Sequence, residues 1–167
     1  MTTNVTPAPL ALVRSIIAHT ALGEQAEIGH TIGRVTLHPH QQAAATRLAA
    51  LISANGGSLL ADPVGVGKTY TSLAVAARSG LPITIAIPSA LRDMWRDALD
   101  RCGVAAAVVT HEALSRGVGV AANQGFVIVD EAHRLRSPST RRYAAIAELC
   151  RQARVLLVTA TPVQNRR

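Results

Sequence analysis

Residues 58–78 read SLLADPVGVGKTYTSLAVAAR. A short apolar run (58–61) leads into a loop carrying one proline and two glycines, and the loop leads into a helical stretch over 68–78. Strand, tight loop and helix in direct succession predict one unit of an α/β fold. The pattern then repeats. The runs 83–87 (ITIAI), 104–109, 126–129 (FVIV) and 155–159 (VLLVT) read as strands, apolar throughout. Segments 90–101, 111–116 and 140–151 between them carry helical spacing, with Ser139-Thr140 as a cap before Tyr143. Wholly apolar strands alternating with amphipathic helices predict a mostly parallel sheet covered on both faces. Upstream, Pro39 suits the first position of a helix running to about Ala54, and Asn55-Gly56-Gly57 stops it. A short strand is expected around 34–37, a helix over 10–21 and a loose terminus over 1–9.

Composition sets the bounds. A chain of 167 residues and 17.5 kDa fits one domain and can bury a core without staples. Hydrophobic residues at 49% against 16% charged exclude a disordered tail. No apolar stretch approaches the roughly 20 residues of a membrane helix. Arg14 and His19 break up the first apolar segment, so neither a secretory leader nor a membrane anchor is expected. Cys102 and Cys150 lack metal-ligand spacing and read as reduced core thiols of a cytoplasmic protein. Seventeen basic residues against 10 acidic ones give a net charge of +7, and one of the 17 is Lys. The excess favours a polyanionic partner, nucleic acid first. A solvated basic surface, or an Arg-rich base composition, gives the same arithmetic.

In parallel α/β sheets ligands sit beyond the carboxyl ends of the strands. Every polar cluster with chemistry falls there. DPVGVGKT follows 58–61, Pro88-Ser89 follows ITIAI, and Thr110-His111 follows 104–109. DEAH follows FVIV, and ATPVQN follows VLLVT. In 62–69 the phosphate-loop pattern G-x-x-x-x-G-K-[ST] is met except that Asp62 takes the first Gly position. Gly65 and Gly67 let backbone N–H groups turn toward a polyphosphate, and the helix starting near Lys68 adds its positive end. Lys68 is a compact cation for the β- and γ-phosphates, and the Thr69 hydroxyl can ligate Mg²⁺. Asp130 closes a buried strand and can hold Mg²⁺; Glu131 can orient and deprotonate water. The loop is expected to face this acidic pair from a neighbouring strand. The H-E-x-x-H order of a metalloprotease is absent.

At this point the motifs and their order resemble the first RecA-like lobe of superfamily 2 helicases and translocases, the Swi/Snf-type DNA-dependent ATPases most of all. The resemblance runs from about Leu37 to Asn165. Leu37-His-Pro-His-Gln41 is similar to L-x-P-[YH]-Q, and Asp62–Thr69 to D-E-M-G-L-G-K-T. IAIPSALRDMWRDAL (85–99) resembles motif Ia, and 109–116 the segment that touches the DNA backbone. Asp130–His133 is the DEAH form of motif II, and Arg134–Ser137 resembles its R-[IL]-K-N continuation. LLVTATPVQN (156–165) is similar to motif III. Pro63 departs from the usual acidic residue of motif I and Ala160 from the Gly of motif III, and neither change removes a phosphate-binding type.

The resemblance implies a three-layer RecA-like P-loop NTPase lobe over 37–167, with 1–36 as a helical or loop extension. It implies ATP and Mg²⁺ as cofactors. Gln41, Asp62, Pro63, Val64, Gly65, Val66, Gly67, Lys68, Thr69 and Tyr70 would form the nucleotide site, with Gln41 on adenine. Thr69 and Asp130 would hold the metal, Glu131 and Lys68 would serve catalysis, and His133, Thr159, Ala160 and Thr161 would couple nucleotide state to the nucleic-acid surface. That surface would include Ser89, Arg92, His111 and Arg116, with Arg96 and Arg101 as further donors. With one Trp, one Phe and two Tyr in all, backbone tracking is expected over base stacking. Trp95 is expected to pack, and His40 and His111 to make local hydrogen bonds. DNA stands ahead of RNA as partner, the compartment would be the cytoplasm (the nucleoid in a bacterium), and a second RecA-like lobe is expected in cis or trans, since motif III lies against Arg167. A non-catalytic nucleic-acid-binding module and an RNA helicase lobe are the competing readings.

Overall fold

The computed structural model describes residues 29–118 and 124–160. The helix expected over 10–21 and Thr161 lie outside them. Two short strands, β1 (Thr31–Ile32) and β2 (Val35–Thr36), form an antiparallel hairpin where a single strand was expected. Then follow α1 (Pro39–Asn55), β3 (Gly57–Leu60), α2 (Lys68–Arg78), β4 (Ile83–Ile87) and α3 (Arg92–Cys102), the last entered through a 3₁₀ turn at Ser89–Leu91. After these come β5 (Ala107–Thr110), α4 (His111–Ser115), β6 (Phe126–Val129), a 3₁₀ turn at Ala132–Leu135, α5 (Arg141–Cys150) and β7 (Arg154–Val158). The run 104–109 yields a strand only from Ala107, because Val104 still bonds back to the end of α3 (Val104 N–H to Leu99 O, 3.1 Å).

Five strands form one sheet in the order β3-β7-β6-β4-β5, and every pairing is parallel. Side chains alternate along each strand and so build two cores. Ile85, Phe126, Ile128 and Leu156 face α1, α2 and α3, where they meet Leu48, Ile52, Leu73 and Trp95. Ala86, Val127 and Val129 face the other way, toward Leu114 of α4 and Ile146 and Leu149 of α5. Strands packed on both sides leave no polar face, which is why their sequences do not alternate. Each fully buried Ile or Phe contributes roughly 1.5–3 kcal/mol. The layering is helix, sheet, helix, as expected of the fold class.

Local chemistry fixes the element ends. Gly56 takes the left-handed conformation (φ 76°) that closes α1. The Thr140 hydroxyl accepts from Tyr143 N–H and caps α5. The hairpin is pinned to the end of α3: Arg34 N–H donates to Arg101 O at 2.8 Å. Gly33 lies so close that a Cβ would come within 2.4 Å of the Cys102 carbonyl carbon. Among the described residues no helix is long and apolar enough to cross a membrane.

Candidate functional site

The loop 62–67 leaves β3 and enters α2 through Gly67 (φ 80°), and Gly65 (φ 89°) is left-handed as well. Val64 at its crest is 83% exposed. Beneath the loop lies Gln41, only 4% exposed. Its Nε2 donates to Val66 O at 3.2 Å and Gly67 O at 3.3 Å, while its Oε1 accepts from His38 N–H at 2.8 Å. Helix α1 therefore braces the loop through one amide side chain. His40 Nε2 lies 3.3 Å from Val66 O, and the His38 and His40 rings stack with centroids 5.7 Å apart. The Lys68 ammonium donates to the carbonyls of Asp62 (2.8 Å) and Pro63 (2.7 Å). It has three donors, so one is uncommitted in that set. The Thr69 hydroxyl points at Met94 Sδ, 3.9 Å away on α3. Tyr70 turns toward the α1–α3 core and lines a surface groove with Arg34, Asp100 and Arg101.

The acidic cluster follows β6. Asp130 is 9% exposed. Its Oδ2 accepts from the Trp95 indole N–H at 2.9 Å and its Oδ1 from Glu131 N–H at 2.8 Å. Burial raises its pKa above the usual carboxylate value, and these two donors pull the other way. Glu131 is, among the described residues, the one non-glycine with positive φ (51°). The turn aims its carboxylate at His133: Oε2 lies 3.0 Å from Nδ1, and that same nitrogen lies 3.2 Å from the Thr159 hydroxyl.

The loop and the acidic pair sit at the same end of the sheet, but not on adjacent strands. β7 lies between β3 and β6. The rim is continuous across the three strands: Thr159 N–H, just past β7, donates to Leu60 O at 3.0 Å, and the Thr159 side chain meets His133 beyond β6. Ala160 follows, half-buried.

Further along the rim, Ser89, Arg92 and Arg116 are exposed, and Arg96 and Arg101 lie exposed on α3. Ser89 N–H donates to Glu112 Oε2 at 3.0 Å, tying the turn after β4 to α4. His111 does not belong to this surface. It is fully buried, so it cannot reach a nucleic-acid backbone, and its ring nitrogens make no close hydrogen bond, the Ala86 carbonyl being near but loosely placed. Burial lowers its pKa; the nearby Ala86 carbonyl favours the charged ring, and Arg142 opposes it. Its position as the first residue of α4, directly after a strand, turns the ring inward.

Two contacts had no counterpart in the sequence reading. Trp95 packs as expected, at 0% exposure, but it also donates to Asp130. The signal was present: a buried indole N–H needs an acceptor. Gln41, which the resemblance puts on adenine, bonds the loop carbonyls of Val66 and Gly67. As for a metal, no group of three or more His, Cys, Asp or Glu among the described residues could form a cage. A hydroxyl and a carboxylate, Thr69 and Asp130, are hard oxygen donors of the kind Mg²⁺ takes when phosphate oxygens and water supply the rest. The residues fit that ion arriving with a nucleotide.

Known proteins agree with this layout. The SNF2-related domain family matches residues 107–167. A Xenopus laevis SWI/SNF-related matrix-associated actin-dependent regulator of chromatin subfamily A-like protein 1 is 31% identical over 139 residues, covering 69% of this chain and 14% of its own length. The uncharacterized ATP-dependent helicase YqhH of Bacillus subtilis is 29% identical over 152 residues, covering 77% of this chain and 27% of itself. This chain thus spans well under half of either relative. Among solved structures, the Sulfolobus solfataricus SWI2/SNF2 ATPase core in complex with dsDNA superposes with a TM-score of 0.73 at 19% identity, over 85% of this chain and 36% of that one. Motif order, parallel sheet, family match and relatives converge, and the chain is a RecA-like lobe of the Swi/Snf-related, superfamily 2 helicase-like ATPase kind.

Proposed function

We propose that this chain is the ATP-binding lobe of a nucleic-acid-dependent ATPase and translocase acting on double-stranded DNA, and that it needs a second RecA-like lobe, in cis or in trans, for efficient turnover. One observation carries the proposal. The glycine-bearing loop after β3 and the acidic turn after β6 open on one rim of a parallel sheet, bridged there by Thr159 and His133.

In this reading Gly65 and Gly67 present backbone N–H groups to the phosphates, and Lys68 exchanges its two carbonyl partners for phosphate oxygens. Thr69 and Asp130 hold Mg²⁺, which when bound neutralises the developing phosphate charge. Glu131 accepts a proton from the attacking water. His133 keeps that carboxylate aimed and, through Thr159, links it to the rim beside β3. Gln41 holds the loop's backbone in shape while its amide edges the base pocket. Ser89, Arg92 and Arg116 grip phosphodiester oxygens, a sequence-independent contact suited to tracking a backbone. The Sulfolobus core, of the same fold, is bound to double-stranded DNA, which supports DNA ahead of RNA. A RecA-like lobe assayed without a partner surface to close over the γ-phosphate hydrolyses ATP slowly.

The test is titration of a fluorescent ATP analogue with Mg²⁺ into the wild type and Lys68→Ala. Loss of a charge-assisted contact worth about 1.5–3 kcal/mol weakens binding by roughly 10- to 100-fold. Equal affinities would sink the proposal. Duplex DNA and duplex RNA competing for the same chain at two salt concentrations decide the polymer.

A further inference from the structure

Helix α3 places two consecutive side chains on the two candidate metal ligands. Met94 Sδ lies 3.9 Å from the Thr69 hydroxyl, and the Trp95 indole N–H donates to Asp130 Oδ2 at 2.9 Å. We infer that Trp95 is a positioning residue for the metal-binding carboxylate, orienting Asp130 so that it meets the ion without rearrangement. The inference rests on the nucleotide-binding role proposed above.

Asp130 sits at the end of β6, nearly out of solvent. A carboxylate held by one bond can rotate about its last torsion. Here each oxygen has a fixed donor, the indole on Oδ2 and the Glu131 backbone on Oδ1, and two donors on opposite oxygens lock the plane. Each oxygen keeps a further lone pair for the cation. The type of donor matters as much as its place. Indole N–H is neutral and donates only, so it fixes the carboxylate without bringing a positive charge that would compete with a divalent ion. A Lys or Arg at position 95 would bond Asp130 equally well and repel Mg²⁺. Groups that orient a metal ligand in this way change metal affinity when removed, typically by about 10- to 100-fold.

Trp95 is the sole tryptophan, so its indole N–H gives one signal in the NMR spectrum of a nitrogen-labelled sample. ADP is added first with EDTA, then with increasing Mg²⁺. The expected result is an indole signal that moves with Mg²⁺ and not with ADP alone, and that no longer responds in Asp130→Ala. In parallel, Trp95 is replaced by benzothienylalanine, which keeps the ring's shape and deletes the N–H, and by Phe. Both replacements raise the Mg²⁺ concentration needed for half-maximal ADP retention by about 10- to 100-fold, and leave ADP affinity in EDTA unchanged. A merely structural indole would lower thermal stability and leave the Mg²⁺ midpoint alone. Wild-type chain that binds Mg-ADP with a motionless indole signal, or a benzothienylalanine variant with an unchanged midpoint, overturns the inference and spares the nucleotide proposal. A wild type that binds no nucleotide overturns both.

Discussion

Gly67→Ala tests the brace between α1 and the glycine-bearing loop 62–67. Gly67 holds φ 80° and ψ 34°, and forcing a residue with a Cβ into that region costs about 1–2 kcal/mol. The new methyl would stand 2.0 Å from Gln41 Nε2, so the amide must swing aside. Its bonds to Val66 O and Gly67 O then break, at about 0.5–1.5 kcal/mol each. The sum is roughly 2–5 kcal/mol. Gly65→Ala is the control: φ is 89°, but nothing lies within 4 Å of its Cβ, so only the backbone cost of about 1–2 kcal/mol applies. In a Gln41→Ala background the clash disappears, and Gly67→Ala falls to that same backbone cost. Urea unfolding of the wild type and the four variants, read at constant m, gives a coupling of about 1–3 kcal/mol between positions 41 and 67. Equal losses for the two glycine variants, or strictly additive losses for the pair, would refute the brace.

Acid should destabilise the fold through His111. Its folded pKa lies below the ordinary value of 6.5 because the ring is buried; the unfolded chain therefore binds the extra proton, and stability falls as pH drops below about 6.5 and levels once pH passes the folded value. Arg142, Arg134 and Glu112 act on the same ring, so His111→Phe, compared by thermal unfolding at neutral and mildly acid pH, should flatten that slope; an unaltered slope assigns it elsewhere. The thiols should be inert. Burial pushes Cys150 up to about 11 and raises Cys102 too, so iodoacetamide at neutral pH should label neither in the native chain and both after denaturation, by mass spectrometry.

Much of this architecture was legible before any coordinates. ITIAI and FVIV are apolar at every position, and only a strand buried on both faces accepts that composition. Lys68 after Gly67 and Asp130 after FVIV mark strand ends by chemistry. Lateral order was not legible. Nothing local in VLLVT says that β7 slides between β3 and β6, because that choice is made by helices packing on both faces of the sheet. The inward turn of His111 escaped for a related reason: a helix's first residue points wherever the preceding strand aims it. The Trp95–Asp130 bond joins residues 35 apart, and sequence distance of that kind carries no pattern. Gln41 was singled out through the resemblance, yet its grip on the loop backbone appears only once α1 is docked beneath 62–67.

The left-handed turn at Glu131 carries one more implication. Glycine or asparagine would rest there more comfortably, by something near 1 kcal/mol. A directed-evolution campaign rewarding heat tolerance alone would therefore drift toward discarding the carboxylate, while one rewarding turnover would retain it if Glu131 activates water as proposed. At this single backbone position robustness and chemistry pull apart, and a thermostabilised descendant should be checked for its acid before its silence is blamed on anything else.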